Sequence, residues 1–453
     1  MERPSLSYCS PIYNDHGNIA TVLTGAILAR RWTSEEVGNA IRATLTTESQ
    51  LCADLADSII QDSSTAYPPS PHALFNMLWD NELFLEICEA FQTRPVDLPI
   101  PLDPPHFNPI TELGDLDIPR LATAGDLANW LDVDLNHLDW FADRYRTAAN
   151  TGIPVLQHYR YSFVTKSHGP PRVIEAPKPK LMTLQKRILR QILNKIPTHD
   201  AAHGFVRGRS AHTSAQVHGG EQVVIACDLK DFFLTTPIDR VHATFRSLGY
   251  PWQVARLLVG LCTASMPRSV FRRLPHDQRH DRPTQQMFAA PHLPAGAPTS
   301  PALANLAAFG LDTRLDGLAR TFGANYTRYA DDLTFSGDTT LARRVTRFLG
   351  IVAEITADEG YAINQRKTRV MPQTTRQQVT GIVVNSHNNV SRTEYDRLKA
   401  VLHNCARNGP VAENRDNHSD FRAHLNGRVT WAENINPQRA RKLRTLYDKI
   451  AWD

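Results

Sequence analysis

The sequence predicts an α+β protein preceded by an acidic, mainly helical N-terminal extension, and three observations carry that reading. Apolar residues recur at three- and four-residue spacing over residues 17–92. Beyond residue 150, β-prone runs alternate with helical ones, the mixture of a sheet with helices packed behind it. Charge is also split along the chain: residues 1–150 hold 8 Lys and Arg against 22 Asp and Glu, a balance of −14, which leaves +18 on residues 151–453.

The elements follow in order. EEVGNAIRATL and HALFNMLWDNELFLEICEAF have helical periodicity, so residues 1–93 are expected to form an acidic helical extension. From Arg94 to Arg120 prolines crowd the chain (Pro95, Pro99, Pro101, Pro104, Pro105, Pro109), which removes helix donors and predicts an extended linker over 94–120. AGDLANWLDVDLNHLDWFADRY resumes helical spacing, with Leu127, Trp130, Leu131, Leu135 and Leu138 on one face. HYRYSFVTK, QVVIACDL, NYTRYADDLTFSG and QQVTGIVVN are the expected strands; KLMTLQKRILRQILNKI and ARRVTRFLGIVAEITADEG are expected helices, and basic helices end the chain.

Composition narrows the function. At 453 residues and about 150 per domain, two or three units are expected, which argues against a small binding module. No apolar run is long enough to cross a bilayer, and the N-terminus lacks the pattern of a secretory signal, so no membrane partner and a cytoplasmic location are expected. Cys9, Cys52, Cys88, Cys227, Cys262 and Cys405 lie too far apart for a zinc site and are expected as reduced, mostly buried thiols. The basic remainder of the chain is the electrostatic footprint of a polyanion binder, although a solvated charged surface has the same composition.

The chemistry is carried by acids. Asp331 and Asp332 adjoin within YADD, between the β-prone stretches NYTRY and LTFSG. Two like charges so close raise each other's pKa unless a cation compensates, so a divalent metal is the natural partner; an ordinary Asp-Asp turn is the competing reading. Asp228 closes the apolar strand VVIACD, where a carboxylate serves metal or catalysis; the helix N-cap alternative suits Asp231 better. Two metals held by such acids can activate a 3′-hydroxyl and stabilise a leaving pyrophosphate.

YADD and DLKDFF, followed and preceded in order by HGFVRGRS (203–210), LPAGAPTSPALANL (293–306) and GYAINQRKT (360–368), resemble bacterial reverse transcriptases from about Asp126 to the C-terminus. The resemblance implies a right-hand polymerase fold, with fingers and palm over 121–385 and a helical basic thumb over 386–453. It also implies catalysis by Asp228, Asp331, Asp332 and Lys367, with two Mg²⁺ ions (Mn²⁺ as a substitute) on the three aspartates. Arg172, Lys178, Phe233, Ala295 and Gly296 are the implied nucleotide-binding residues. Phe233 stands at the aromatic gate that would collide with a 2′-hydroxyl, and one of Phe232 and Phe233 is expected in the core. The family usually has Gln where this chain has Ala295. Gly296 lets the backbone approach a ligand closely.

Two elements resemble retron enzymes in particular: Ser214-Ala215-Gln216-Val217-His218, where Ser replaces the family's Asn, and Val379-Thr380-Gly381. They imply RNA recognition by His218, Val379, Thr380 and Gly381, joined by Arg439, Arg441, Lys442 and Arg444 of the thumb. The implied partners are a cognate structured non-coding RNA, its RNA–DNA hybrid and dNTPs, the product branched multicopy single-stranded DNA, and the setting antiphage defence. The acidic extension is expected to dock on the basic body or bind an effector protein. Residues 266–292, rich in Pro and Arg, are expected as a loop. A group II intron-like or unclassified defence reverse transcriptase is the rival within the class, opposed by the absence of Cys/His or His-Asn nuclease signals before Asp453. A catalytically inactive RNA-binding scaffold is the rival outside it.

Overall fold

A computed structural model describes residues 16–45, 47, 49–62, 68–69, 71–91, 105–151, 153–166 and 169–452. Cys9 and the first part of the expected linker, 94–104, lie outside the described residues. In chain order the helices are α1 (His16–Leu28), α2 (Ser34–Leu45), α3 (Leu51–Asp62), α4 (Pro71–Trp79), α5 (Glu82–Phe91), α6 (Ala124–Leu131), α7 (Leu135–Ala142), α8 (Thr147–Asn150), α9 (Pro179–Gln191), α10 (Ala211–Gln216), α11 (Phe232–Thr235), α12 (Ile238–Ser247), α13 (Trp252–Cys262) and α14 (Arg282–Ala289). They continue as α15 (Ser300–Ala307), α16 (Phe309–Thr321), α17 (Thr339–Arg343), α18 (Val345–Asp358), α19 (Arg392–Asn408), α20 (Phe421–Ile435) and α21 (Pro437–Tyr447). The strands are β1 (Tyr159–Val164), β2 (Arg172–Pro177), β3 (Val223–Asp228), β4 (Asn325–Tyr329), β5 (Asp332–Gly337), β6 (Arg369–Pro372), β7 (Gln378–Val379) and β8 (Ile382–Val383). This is the expected α+β class with a helical N-terminal extension.

The chain divides into two compact units, one of residues 1–196, 238–291 and 296–299, the other of 197–237, 292–295 and 300–453. In the first, α1 to α5 bury one shared apolar core that includes Leu23, Ile27, Ile41, Leu55, Ile59, Leu74 and Phe84. The described part of the proline-rich segment is not free chain. Asn108 and Ile110 donate backbone bonds to Gly249 and Ser247 at 2.8 and 3.1 Å, and Tyr250 donates its hydroxyl to Pro119 O.

Two expectations are corrected in this unit. The periodic stretch after Ala124 is two helices, because Asp132 adopts φ +58° at the end of α6 and Asp134 caps α7. The apolar face therefore breaks: Leu127, Leu131 and Leu138 are buried, while Leu135 is 56% exposed. Trp130 instead packs under Arg187 and donates to Gln191. Residues 266–292 are not a plain loop. Val270, Phe271, Leu274 and Phe288 are buried, Phe271 meets Phe288 edge-on, and Asp281 caps α14, so hydrophobic burial folds the segment while Arg268, Arg272, Arg273 and Arg282 stay exposed.

The second unit is built on a four-stranded antiparallel sheet in the order β4-β5-β3-β6. Aromatic rings stack helix on sheet: Phe335 of β5 lies 4.8 Å from Tyr326 of β4 and 5.0 Å from Phe348 of α18. Helices α19, α20 and α21 close a separate small core around Leu398, Leu402, Leu425, Val429 and Leu443. Cys52, Cys88, Cys227, Cys262 and Cys405 are free and buried, and burial pushes the Cys227 thiol up to about 11.

Candidate active site

β3 is an apolar run whose residues are almost all buried, and it pairs along its two edges with β5 and β6. Its last residue, Asp228, pairs in register with Asp332, the first residue of β5. Tyr329 also pairs with Asp332, so Ala330 and Asp331 form a two-residue hairpin loop, with Ala330 at φ +58°. The amide of Leu229 donates to Asp331 O at 2.8 Å, tying the chain after Asp228 to that loop. The three aspartates therefore gather at one end of the sheet. The helix-cap alternative for Asp228 is not what its carboxylate does: it accepts from Asn364 Nδ2 at 3.0 Å and Lys367 Nζ at 2.8 Å. Nor does Asp231 cap α11, since its φ of +51° leaves the side chain without a capping bond.

The electrostatics show how crowded this corner is. Burial pushes the Asp332 carboxyl up to about 6, with the Asp331 and Asp228 charges adding to the rise and Lys367 and Arg369 opposing it. The hydrogen bond to Asp228 holds Lys367 above the usual lysine range, so the ammonium is charged at neutral pH. Among the described residues no group of three or more His, Cys, Asp or Glu stands ready-made in metal-binding geometry. The donor chemistry fits a divalent cation all the same: the Asp331 and Asp228 charges disfavour the ionised form of Asp332, and hard oxygen donors are what Mg²⁺ takes. Lys367 supplies part of the missing positive charge.

The other expected site residues are distributed as follows. Phe232 and Phe233 lie on the short helix α11 rather than a strand; Phe232 is 5% exposed and is the core member. Phe233 is half-buried, stacked on Phe232 at 5.8 Å and tilted against Phe205 at 6.1 Å. Gly296 adopts φ +136°, and a Cβ there would meet Glu175 O of β2 at 2.9 Å, so the backbone is pressed against a strand and only glycine fits. Ala295 is half-buried and Arg172 is exposed at the start of β2. Lys178 gives its ammonium to the carbonyls of Pro154 and Val155, each at 2.9 Å, which occupies two of its three donors.

Residues 164–384 match the model of the family reverse transcriptase (RNA-dependent DNA polymerase). The retron Mx65 reverse transcriptase of Myxococcus xanthus is 40% identical over 64% of this chain and 64% of its own length. The retron Mx162 reverse transcriptase of the same organism is 37% identical over 65% of this chain and 61% of its own length. Over 64% of its length the chain is similar to bacterial retron reverse transcriptases. The retron Ec86 reverse transcriptase of Escherichia coli is 29% identical over 64% of this chain and 82% of its own length. The chain thus spans less than two thirds of the two Myxococcus relatives' length.

The elements expected to touch RNA are partly buried. His218 is 0% exposed and bridges the sheet, Nδ1 to Ser336 Oγ and Nε2 to Thr327 Oγ1, both at 2.7 Å. Ser214 joins the same hub at 2.9 Å from Thr327 Oγ1. Burial pushes the imidazole down to about 3, with His203 adding to the effect. Direct RNA contact by His218 does not fit that burial, nor by Val379, which is 1% exposed. Thr380, at φ +48°, anchors its hydroxyl on Ala211 O, and Gly381 beside it is exposed. In the C-terminal helices Arg439 lies 4.4 Å over the Tyr395 ring and Arg444 pairs with Glu433 at 2.7 Å, whereas Arg441 and Lys442 are exposed.

Three functional candidates were missed in the sequence. Asn364 sits three residues before Lys367 and is turned with it onto Asp228; its signal was the same motif block. Arg328 and Asp312 form a buried pair beneath the loop, and the signal was one arginine inside the β-prone run NYTRY. No helix among the described residues is long and apolar enough to cross a membrane.

Proposed function

We propose that this protein is the RNA-directed DNA polymerase of a retron, copying part of a cognate structured non-coding RNA into branched multicopy single-stranded DNA in antiphage defence. The observation that carries the reading is the register of Asp228 against Asp332, with Asp331 in the adjoining hairpin loop, inside a matched reverse transcriptase domain. Asp228, Asp331 and Asp332 would hold two Mg²⁺ ions, with Mn²⁺ as a substitute. Bound there, the ions would lower the pKa of a primer hydroxyl and neutralise charge on the leaving pyrophosphate.

The chain's own residues supply the rest. Lys367 is a charged ammonium beside Asp228 and is the proton donor for pyrophosphate. Phe233 is the gate beneath the incoming sugar, excluding the 2′-hydroxyl by contact. Arg172 offers a guanidinium fork to the triphosphate, while Lys178 would first have to release its two carbonyls. Gly296 and Ala295 line the nucleotide through backbone. Thr380 and Gly381 contact the RNA, and His218 and Val379 act beneath them by holding the hairpin of β7 and β8 and the helix α10 in place. Arg441 and Lys442 track the duplex backbone from a thumb of residues 386–453, fingers and palm spanning 121–385. The acidic extension, with a linker over 94–120, takes an effector protein in a cytoplasmic setting.

The test is purification with the RNA encoded upstream and measurement of Mg²⁺-dependent dNTP incorporation, wild type against Asp331→Ala/Asp332→Ala, with products treated by RNase and debranching enzyme. Incorporation lost in the variant, with DNA that shortens on debranching, supports the proposal. Activity on added primer-template alone points to a group II intron-like or other defence reverse transcriptase. No incorporation on either substrate points to an RNA-binding scaffold.

A further inference from the structure

The hairpin loop that carries Asp331 holds a strained residue. Ala330 adopts φ +58°, a conformation that costs an L-residue with a side chain on the order of 1–2 kcal/mol and that persists only where neighbours over-determine it. Four neighbours do so here. Arg328 Nη1 donates to Ala330 O at 3.1 Å. Gly204 packs against the loop so closely that a Cβ would fall inside 3.0 Å of the Ala330 amide nitrogen. Asn305 links the two, accepting from Arg328 Nη1 and donating to Gly204 O, each at 2.8 Å. Asp312 closes the network from α16 with two bonds to the guanidinium, Nε to Oδ1 at 2.8 Å and Nη2 to Oδ2 at 2.6 Å.

Arg328 and Asp312 are both 0% exposed, and Tyr326 donates its hydroxyl to the same carboxylate at 2.8 Å. A pair so deeply buried gains little stability over a well-packed apolar pair, because both charges must be desolvated. Its geometric specificity is what an apolar pair could not reproduce: the planar fork takes Asp312 on one side and leaves Nη1 aimed at Asn305 and at the loop carbonyl.

We infer that Arg328 is a positioning residue, held by Asp312, that clamps the strained Ala330–Asp331 loop and so sets where the Asp331 and Asp332 carboxylates stand. It touches neither substrate nor metal and acts through the Ala330 carbonyl. The inference rests on the proposed role of those carboxylates for its consequence in catalysis, but the clamp itself is measurable without activity.

The experiment compares wild type, Arg328→Lys, Ala330→Gly and the double variant by hydrogen exchange of peptides covering Tyr326–Leu333 and Val223–Cys227. Mn²⁺ titration followed by electron paramagnetic resonance and steady-state dNTP incorporation are run on the same proteins. Lysine keeps the charge and loses the fork. Exchange of the loop peptide is expected to rise about tenfold relative to the β3 peptide, Mn²⁺ affinity to fall about tenfold, and kcat to fall with KM for dNTP unchanged. Ala330→Gly, which adopts φ +58° without strain, is expected to restore part of the Mn²⁺ affinity in the Arg328→Lys background; a merely structural arginine would gain nothing from it.

Equal exchange increases in both peptides, or unchanged loop exchange and Mn²⁺ affinity, would overturn the inference. Should Arg328→Lys not fold, Asn305→Ala, which removes only the link between Arg328 and Gly204, is read by the same exchange ratio, and an unchanged ratio overturns it. A wild type that shows the clamp by exchange but neither binds Mn²⁺ nor incorporates dNTP would refute the proposed function and leave the clamp standing.

Discussion

Lys367 donates to Asp228 over 2.8 Å from a side chain that is 61% exposed to one that is 9% exposed. The ammonium is therefore free to turn away, while the carboxylate is not. Replacing it by methionine leaves three carboxylates with less compensating charge. Because the lysine is largely solvated, the expected loss of stability in metal-free buffer is only about 1 kcal/mol. Added Mg²⁺ is expected to raise Tm more in Lys367→Met than in wild type, since the ion takes over the missing charge. Differential scanning fluorimetry against Mg²⁺ concentration checks this, and an equal rise in both proteins would show that Lys367 does not compensate the cluster.

Phe233 stacks on the buried ring of Phe232 and meets the exposed ring of Phe205 at a tilt. A ring backed by Phe232 can exclude a 2′-hydroxyl by contact, whereas a smaller side chain leaves room for it. Phe233→Val is expected to lower the preference for dNTP over rNTP by about tenfold or more, through a better kcat/KM for rNTP, since steric exclusion is worth a few kcal/mol. Single-nucleotide incorporation with dGTP and GTP measures the ratio; an unchanged ratio would assign the gate elsewhere.

The strands and most helices were legible because they bury one face or both: VVIACD and NYTRY could only be covered strands, and the helix of ARRVTRFLGIVAEITADEG buries Phe348 and Val352 on one face. The carboxylates were legible because acids at the ends of apolar strands are costly without a purpose. The break at Asp132–Asp134 was not, since a left-handed aspartate leaves the periodicity of its neighbours intact and changes only which way they face. His218 was legible as a motif member but not as a buried one: its partners Thr327 and Ser336 lie more than a hundred residues away, in strands whose register no local pattern announces. The Arg328–Asp312 pair spans only 16 residues but joins helix α16 to strand β4, a packing contact that no local pattern announces.

Gly204 belongs to a motif block, yet the reason for a glycine there appears only in space. A Cβ would meet the Ala330 amide, and the opposing atoms are backbone, which cannot turn aside as a side chain would. Gly204→Ala is expected to destabilise the protein by about 1–3 kcal/mol and to lower dNTP incorporation more than the lost stability explains, because the displaced atoms carry Asp331. Urea denaturation together with activity at a temperature where both proteins are folded separates the two effects, and full activity per folded molecule would show that the loop absorbs the methyl group.

His218 gives a stability that depends on pH. Its folded pKa is pushed down to about 3, whereas an unfolded histidine titrates near 6.5. Between those values the unfolded chain takes up a proton that the folded protein refuses, so stability is full above 6.5 and declines as pH falls toward 3. The slope from this one group is about 1.4 kcal/mol per pH unit, so lowering the pH to about 5 is expected to remove about 2 kcal/mol. His218→Gln keeps hydrogen-bonding capacity toward Ser336 and Thr327 but cannot titrate. It is expected to be less stable than wild type near neutrality and to lose about 2 kcal/mol less than wild type between about pH 7 and 5. His203, whose imidazole burial also pushes down, is present in both proteins and cancels from the difference. Parallel urea denaturation curves at the two pH values provide the comparison, and an identical pH slope for both proteins would mean that the folded imidazole takes up its proton over the same pH range as the unfolded one.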